Sequence, residues 1–281
     1  MTQTVTLALS TYSFNTILLE YRTIELLPTL CYNETVNVRK DDKMLRLFWI
    51  CLISLPFIIY YLWKAGYVER RSWKYDEGDR YKIARNMIAI MKHNGFIRTK
   101  VYGADKLPEE GGYVMYANHQ GKYDSLGIIG AHKEPCTVMI DEKRSHLILA
   151  DQFVGLLKGA RLDKSSMNAQ FKTILNVIAE VKNGRKYIIF PEGGYYHNRN
   201  NVQDFLPGAF KCAMKAKSPI VPVALIDSYK PFELNSLKPV TTQVHFLEPI
   251  YYEDYKELTT REVAEMVRTQ IVETIDKMCK C

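Results

Sequence analysis

From Tyr113 onward, short uninterrupted apolar runs alternate with segments of helical periodicity. That alternation restricts the fold more than any other feature of the chain. The runs "YVMYA" (113–117), "CTVMI" (136–140), "KYIIF" (186–190) and "PIVPVALI" (219–226) are rich in β-branched and aromatic residues and carry one charge among them, at Lys186. Runs of this kind read as strands buried on both faces. Between them lie helical stretches such as "SMNAQFKTILNVIAEVKNG", closed by Asn183-Gly184, and "TTQVHFLEPI" follows as a further strand. A last helix opens on the capping box Thr259-x-x-Glu262, with Val263, Met266, Val267 and Ile275 on one face. This order predicts an α/β protein with a mixed, largely parallel sheet flanked by helices.

Upstream the character changes. Leu47 to Trp63, "LFWICLISLPFIIYYLW", is an uncharged stretch at the lower edge of the roughly 17–25 residues that span a bilayer. Arg39, Lys40, Lys43 and Arg46 precede it, and Lys64, Arg70, Arg71 and Lys74 follow. Neither flank has the basic excess that orients a spanning helix, and Pro56 predicts a kink. Both features suit a segment that dips into one leaflet and returns. The expected location is therefore the cytoplasmic face of the cell membrane, monotopic or single-pass. From Asp79 to Asn94, Ala84, Met87, Ile88 and Met91 share a helical face, with Asn94-Gly95 as a stop. This helix is expected to pair with the apolar segment.

Three regions follow: an extension of uncertain status at 1–43, a membrane-associated two-helix hairpin at 44–96, and an α/β domain at 97–281. Met44, at the basic-apolar boundary, is a candidate start of the mature protein. The net charge of +7 suits an anionic partner. The chain lacks zinc-finger spacing, an RNA-binding aromatic signature and a basic helix, so a phospholipid membrane surface is preferred to nucleic acid. Cys31, Cys51, Cys136, Cys212, Cys279 and Cys281 form no C-x-x-C pair, so zinc is not expected and reduced thiols are.

The chemistry-bearing residues cluster at strand ends. "YANHQGKYDSLG" places His119 and Asp124 just past "YVMYA", where open α/β sheets keep their ligand crevice. An imidazole takes a proton at physiological pH, and a carboxylate fixes its tautomer. Taken alone, the pair is also what an unrelated His and Asp in one loop would give. "FPEGGYY" (190–196) again follows a strand; its glycines leave backbone amides open to a ligand, and Glu192 suits a hydroxyl anchor. Pro222 interrupts "IVPVAL", which implies an edge strand or a bulge.

In combination and order, "NHQGKYD", "EKRSHLILADQFVGLLKGARLDK", "FPEGGY" and "IVPVAL" resemble the glycerolipid acyltransferase family, of the lysophosphatidic acid acyltransferase type. The resemblance covers about Leu47 to Ile250 and implies that His119 is the general base. It would deprotonate an acceptor hydroxyl, which attacks a fatty acyl thioester, with Asp124 orienting the imidazole. Glu192, Gly193 and Gly194 would position the acceptor. The co-substrate would be acyl-ACP or acyl-CoA, so acyl carrier protein or coenzyme A is the expected partner, and no metal or other cofactor is implied. The chain departs from the family where Gly194-Tyr195 replace Thr-Arg, and the missing arginine contacts the acceptor's phosphate in that family. Lys143, Arg144, Arg161 and Arg199 are the candidates to replace it. Another acceptor, a non-catalytic membrane-surface role and thioester hydrolysis remain open on the residues.

Overall fold

The computed structural model describes residues 45–146 and 149–279. The expectations for 1–43 and for Met44 lie outside the described residues. A seven-stranded sheet runs in the order β1-β7-β6-β2-β5-β3-β4. Its strands are β1 (Ile97–Tyr102), β2 (Val114–Ala117), β3 (Thr137–Asp141), β4 (Ala160–Leu162), β5 (Tyr187–Ile189), β6 (Ile220–Ile226) and β7 (Val240–Phe246). All neighbours pair in parallel except β6 and β7. The mixed, largely parallel sheet flanked by helices is as the sequence predicts.

Side chains alternate cleanly across the central strands. Met115 and Ala117 of β2 and Val221, Val223 and Leu225 of β6 join one core. That core is closed by α3 (Glu77–Asn94), through Tyr81, Ala84 and Ile88, and by α4 (Asp124–Ala131), through Ile128 and Ile129. Val114, Tyr116, Ile220, Ala224 and Ile226 face the other way. They pack under α7 (Met167–Lys182), α8 (Lys211–Ala216) and α11 (Thr260–Cys279), the last through Val263, Val267, Ile271 and Ile275. A strand with both faces covered has no room for polar residues, which is why these runs are so apolar.

The structure overturns two expectations and decides a third between its alternatives. The apolar segment is not one arm of a two-helix hairpin: it breaks into α1 (Leu45–Ile53) and α2 (Leu55–Glu69), bent by 77°. Pro56, in the first turn of α2, has no N–H for the Leu52 carbonyl, so the ladder cannot run through. No single helix among the described residues is long and apolar enough to cross a membrane. Next, α3 is a core helix of the α/β unit, so no boundary falls at residue 96; the described residues belong to one compact unit. Last, β6 lies inside the sheet, so Pro222 does not mark an edge. It marks a bulge. Val223 pairs with Phe246 while Ile220 bridges Ile250, so two residues of β6 face three of the opposing strand. There Pro222 needs no N–H bond, and its carbonyl accepts from Leu247 N. The edge strands β1 and β4 escaped prediction, being mostly exposed in "IRTKVY" and only three residues long in "ARL".

Polar groups join α1 to the domain. Arg46 is fully buried. Its guanidinium donates to the carbonyls of Lys230 and Pro231 (both 3.1 Å) and of Lys238 (2.6 Å), around α9 (Lys230–Glu233). Trp49 Nε1 donates to Asn94 O, and Asn94 Nδ2 to Ser54 Oγ. Gly95 lets α1 approach, since a Cβ there would meet Ile50 Cδ1 at 2.6 Å. The outer faces of α1 and α2 remain apolar and exposed, with Phe48 at 68% and Trp63 at 62%.

Replacing Arg46 by Met keeps the stem but strips three carbonyls of their donor. Arg46→Met is expected to lower unfolding free energy by about 3 kcal/mol. Urea denaturation followed by circular dichroism measures it, and a loss under about 0.5 kcal/mol would place those carbonyls in contact with water instead.

Candidate active site

The C-terminal ends of β2, β5 and β6 share one edge of the sheet, and the site is assembled there. Asn118 ends β2 without leaving polar groups bare. Its carboxamide Nδ2 donates to Leu225 O (3.0 Å) and its Oδ1 accepts Leu225 N (2.7 Å). The side chain thus replaces a ladder step, and the main chain is free to turn out of the sheet at His119.

Asp124 opens α4 and gathers that turn. Its Oδ2 accepts His119 Nδ1 (2.7 Å), Gln120 N (2.5 Å) and Gly121 N (2.8 Å). A carboxylate at a helix N-terminus also sits favourably in the helix dipole. Facing an acceptor, Nδ1 carries the hydrogen, so Nε2 holds the lone pair. The His119 ring stacks on Phe190 (centroids 4.4 Å apart) and meets the edge of Tyr195 at 5.0 Å. Its side chain is 17% exposed, while Asp124 is sealed. This is the geometry of an oriented base.

Glu192 holds the other side of the turn. Its Oε1 accepts His119 N (2.9 Å) and its Oε2 accepts Gln203 Nε2 (2.6 Å), which also donates to Gly194 O (3.2 Å). Burial raises the Glu192 carboxyl's pKa above its usual value, against the opposing pull of the His119 and Gln203 donors. Gly193 has φ +74°, and a Cβ would lie 2.9 Å from Leu206 Cδ1, so this position requires glycine. Gly194 has no such need.

His119, Asp124, Glu192, Gly193 and Gly194 are therefore brought together. The basic candidates separate. Arg144, in α5 (Glu142–Ser145), lies over the Tyr195 ring at 5.9 Å, which brings it to the rim of the His119 site. Lys143 is its neighbour, and its charge acts on Asp163. Arg161 is engaged by Asp151 Oδ1 (2.9 Å) and Ser145 Oγ (2.7 Å). Arg199, at φ 53°, lies over Tyr229 at 5.7 Å. Lys164, not singled out as a binding residue by sequence, donates to Gly193 O at 3.1 Å.

Sequence also missed the amides behind the loop. Gln120 is fully buried; its Nε2 donates to Leu225 O and Asn200 Oδ1, and its Oε1 accepts Ser228 N. Asn200 in turn donates to Asp227 Oδ1 and accepts Asp227 N. Their partners lie far along the chain, so no local spacing announces them. Among the described residues no group of three or more His, Cys, Asp or Glu side chains is placed to hold a metal.

Comparison with known proteins agrees with this geometry. Residues 98–226 match the acyltransferase family model. Over that span the chain resembles acyltransferases, as its motifs do. It is 28% identical over 204 residues to a 1-acyl-sn-glycerol-3-phosphate acyltransferase of Saccharomyces cerevisiae, covering 69% of this chain and 65% of that protein. It is also 28% identical over 196 residues to 1-acyl-sn-glycerol-3-phosphate acyltransferase alpha of Homo sapiens, covering 68% of each. The chain thus spans about two thirds of the length of these relatives. The crystal structure of a 1-acyl-sn-glycerophosphate (LPA) acyltransferase from Thermotoga maritima has the same fold, with TM-score 0.69 and 19% identity over 84% of this chain and 97% of that one.

The raised pKa of Glu192 has a signed consequence. The folded state holds that proton more tightly than the unfolded chain, so stability falls as pH climbs from the unfolded value, near 4.5, through the raised folded value. In Glu192→Gln this loss is absent. The melting temperature of wild type relative to Glu192→Gln should fall as pH rises across that window, and a constant difference would show that Glu192 titrates normally.

Proposed function

We propose that this chain transfers a fatty acyl group from an acyl thioester to the free hydroxyl of lysophosphatidic acid, making phosphatidic acid. The observation that carries the reading is the His119 Nδ1 to Asp124 Oδ2 bond, which leaves Nε2 as the base at a strand end. His119 Nε2 takes the proton of the acceptor hydroxyl as its oxygen bonds to the thioester carbonyl carbon. Collapse of the tetrahedral intermediate breaks the carbon–sulfur bond, and the imidazolium returns the proton to the departing thiolate. Asp124 offsets the charge that develops on His119 in between. The donor is an acyl carrier protein or coenzyme A thioester.

The acceptor's phosphate needs cations or amide donors. Tyr195 supplies no charge, but Arg144 lies over its ring, which itself meets the His119 ring. Lys164 at the glycine turn adds an ammonium. We assign the phosphate to these two. A second reading, the same chemistry on another acceptor, is favoured by Tyr195 itself, which occupies the position of the family's arginine. The exposed apolar faces of α1 and α2 would rest in the cytoplasmic leaflet, with Trp63 and Trp73 at the interface.

Transfer of radiolabelled acyl groups to a panel of acceptors tests the assignment. His119→Ala is expected to lower kcat by about 10²–10⁴ with the melting curve unchanged; activity within tenfold of wild type would remove His119 from the role. Arg144→Ala should raise the KM for lysophosphatidic acid about tenfold or more, and leave the donor KM near its original value. A panel in which an acceptor without a phosphate monoester is preferred would select the second reading.

Membrane binding has its own check. Phe48→Glu with Trp63→Glu should weaken binding to phosphatidylcholine vesicles about tenfold or more in a flotation assay. Unchanged flotation would move the contact surface elsewhere.

A further inference from the structure

A cavity lined by none of the catalytic residues sits at the loop that leads into β7. Its volume is about 500 Å³, and Arg46, Lys100, Asp227, Lys230, Lys238 and Gln243 contribute to its lining. The lining residues include four cations, Arg46, Lys100, Lys230 and Lys238, and one carboxylate, Asp227. Lys100 and Gln243 sit opposite each other in the β1–β7 register, so the floor is the open edge of the sheet. Lys230 Nζ binds Asp227 at 2.7 Å. Neither the Lys100 nor the Lys238 ammonium makes an ion pair among the described residues, and the buried Arg46 Nε–H has no acceptor there.

Arg46 is engaged by three carbonyls and Lys230 by Asp227, which leaves the exposed Lys100 and Lys238 as like charges at one hollow with no ion pair to offset them. Such a group is explained by a ligand that carries the compensating charge. A single carboxylate offsets one ammonium, whereas a phosphate monoester carries about −1.5 to −2 charges and several acceptor oxygens. Ser236 and Thr241 add hydroxyls, and Gln243 an amide, suited to those oxygens. The volume lies in the usual range for small-molecule sites, roughly 300–1,000 Å³. We propose that this cavity binds a phosphate ester.

Two sources share that chemistry: a soluble phosphorylated carrier of the acyl group, and the headgroup of an anionic lipid beside α1. Asp227, in the cavity's lining, is tied to the catalytic loop, because Asn200 donates to it and accepts from Gln120. The proposal stands apart from the acyl-transfer reading, since binding is measured without turnover.

The test uses the full chain and two double variants of equal charge change, Lys100→Glu with Lys238→Glu at the cavity and Lys133→Glu with Lys182→Glu on remote exposed surface. Calorimetry with adenosine 3′,5′-bisphosphate probes the soluble source; phosphatidylcholine vesicles with and without phosphatidylglycerol probe the lipid. Melting curves confirm folding of each variant. Nucleotide binding by wild type and the remote pair, weakened about tenfold or more in the cavity pair, supports the proposal and names a soluble ester. No nucleotide binding, with the phosphatidylglycerol-dependent part of vesicle binding lost only in the cavity pair, supports it and names the lipid. Equal weakening in both pairs, no weakening in either, or no binding of either probe by wild type overturns it.

Discussion

Everything at the catalytic edge depends on how strand β2 ends. A parallel strand between two others cannot stop without stranding the backbone groups of its neighbours, each costly when buried. Asn118 resolves this by giving Leu225 both a donor and an acceptor from one carboxamide. The main chain is thereby released one residue later, at His119. With that turn fixed, Asp124 can collect three N–H groups on one oxygen, and Glu192 can reach across from β5 to the His119 amide. The histidine is oriented by its side chain and by its backbone, from the start of α4 and from the turn after β5.

The parts of the fold legible in sequence were those where burial is two-sided. "YVMYA", "KYIIF" and "IVPVAL" carry a single charge, at Lys186, because helices cover both faces, and the apolar runs mark those strands closely. β1 was hidden because an edge strand alternates with solvent, and "IRTKVY" looks like any exposed segment. The helix break was foreseen from Pro56, but its size was not. A proline fixes where the ladder fails; the bend is held by bonds from Arg46, Trp49 and Ser54 to partners outside the segment, the carbonyls of Lys230, Lys238 and Asn94 and the Asn94 amide.

The candidate site shows the same division. His119, Asp124 and the glycine turn are local patterns and could be read directly. Gln120, Asn200 and Gln203 could not, because an amide's role is decided by a partner that only the fold supplies. Non-glycine residues at positive φ gather here as well: His197, Arg199 and Asp227 border the same loops. Conformations of this kind persist only where the surroundings hold them, and the amide bonds of Asn200 to Asp227 provide that hold.

Arg46 recognises main-chain oxygens alone. Position 238 thus meets the demand of the fold with its backbone, whatever side chain it bears, whereas Pro231 is buried and Lys230 also binds Asp227. Drift at 238 carries little structural penalty, while Arg46 itself has no substitute of equal reach and donor count. Lys238 is accordingly dispensable to the architecture, and its side chain is free to change as the needs of a bound molecule change. Sequences that keep the arginine but vary at 238 would preserve the same scaffold around a differently charged hollow.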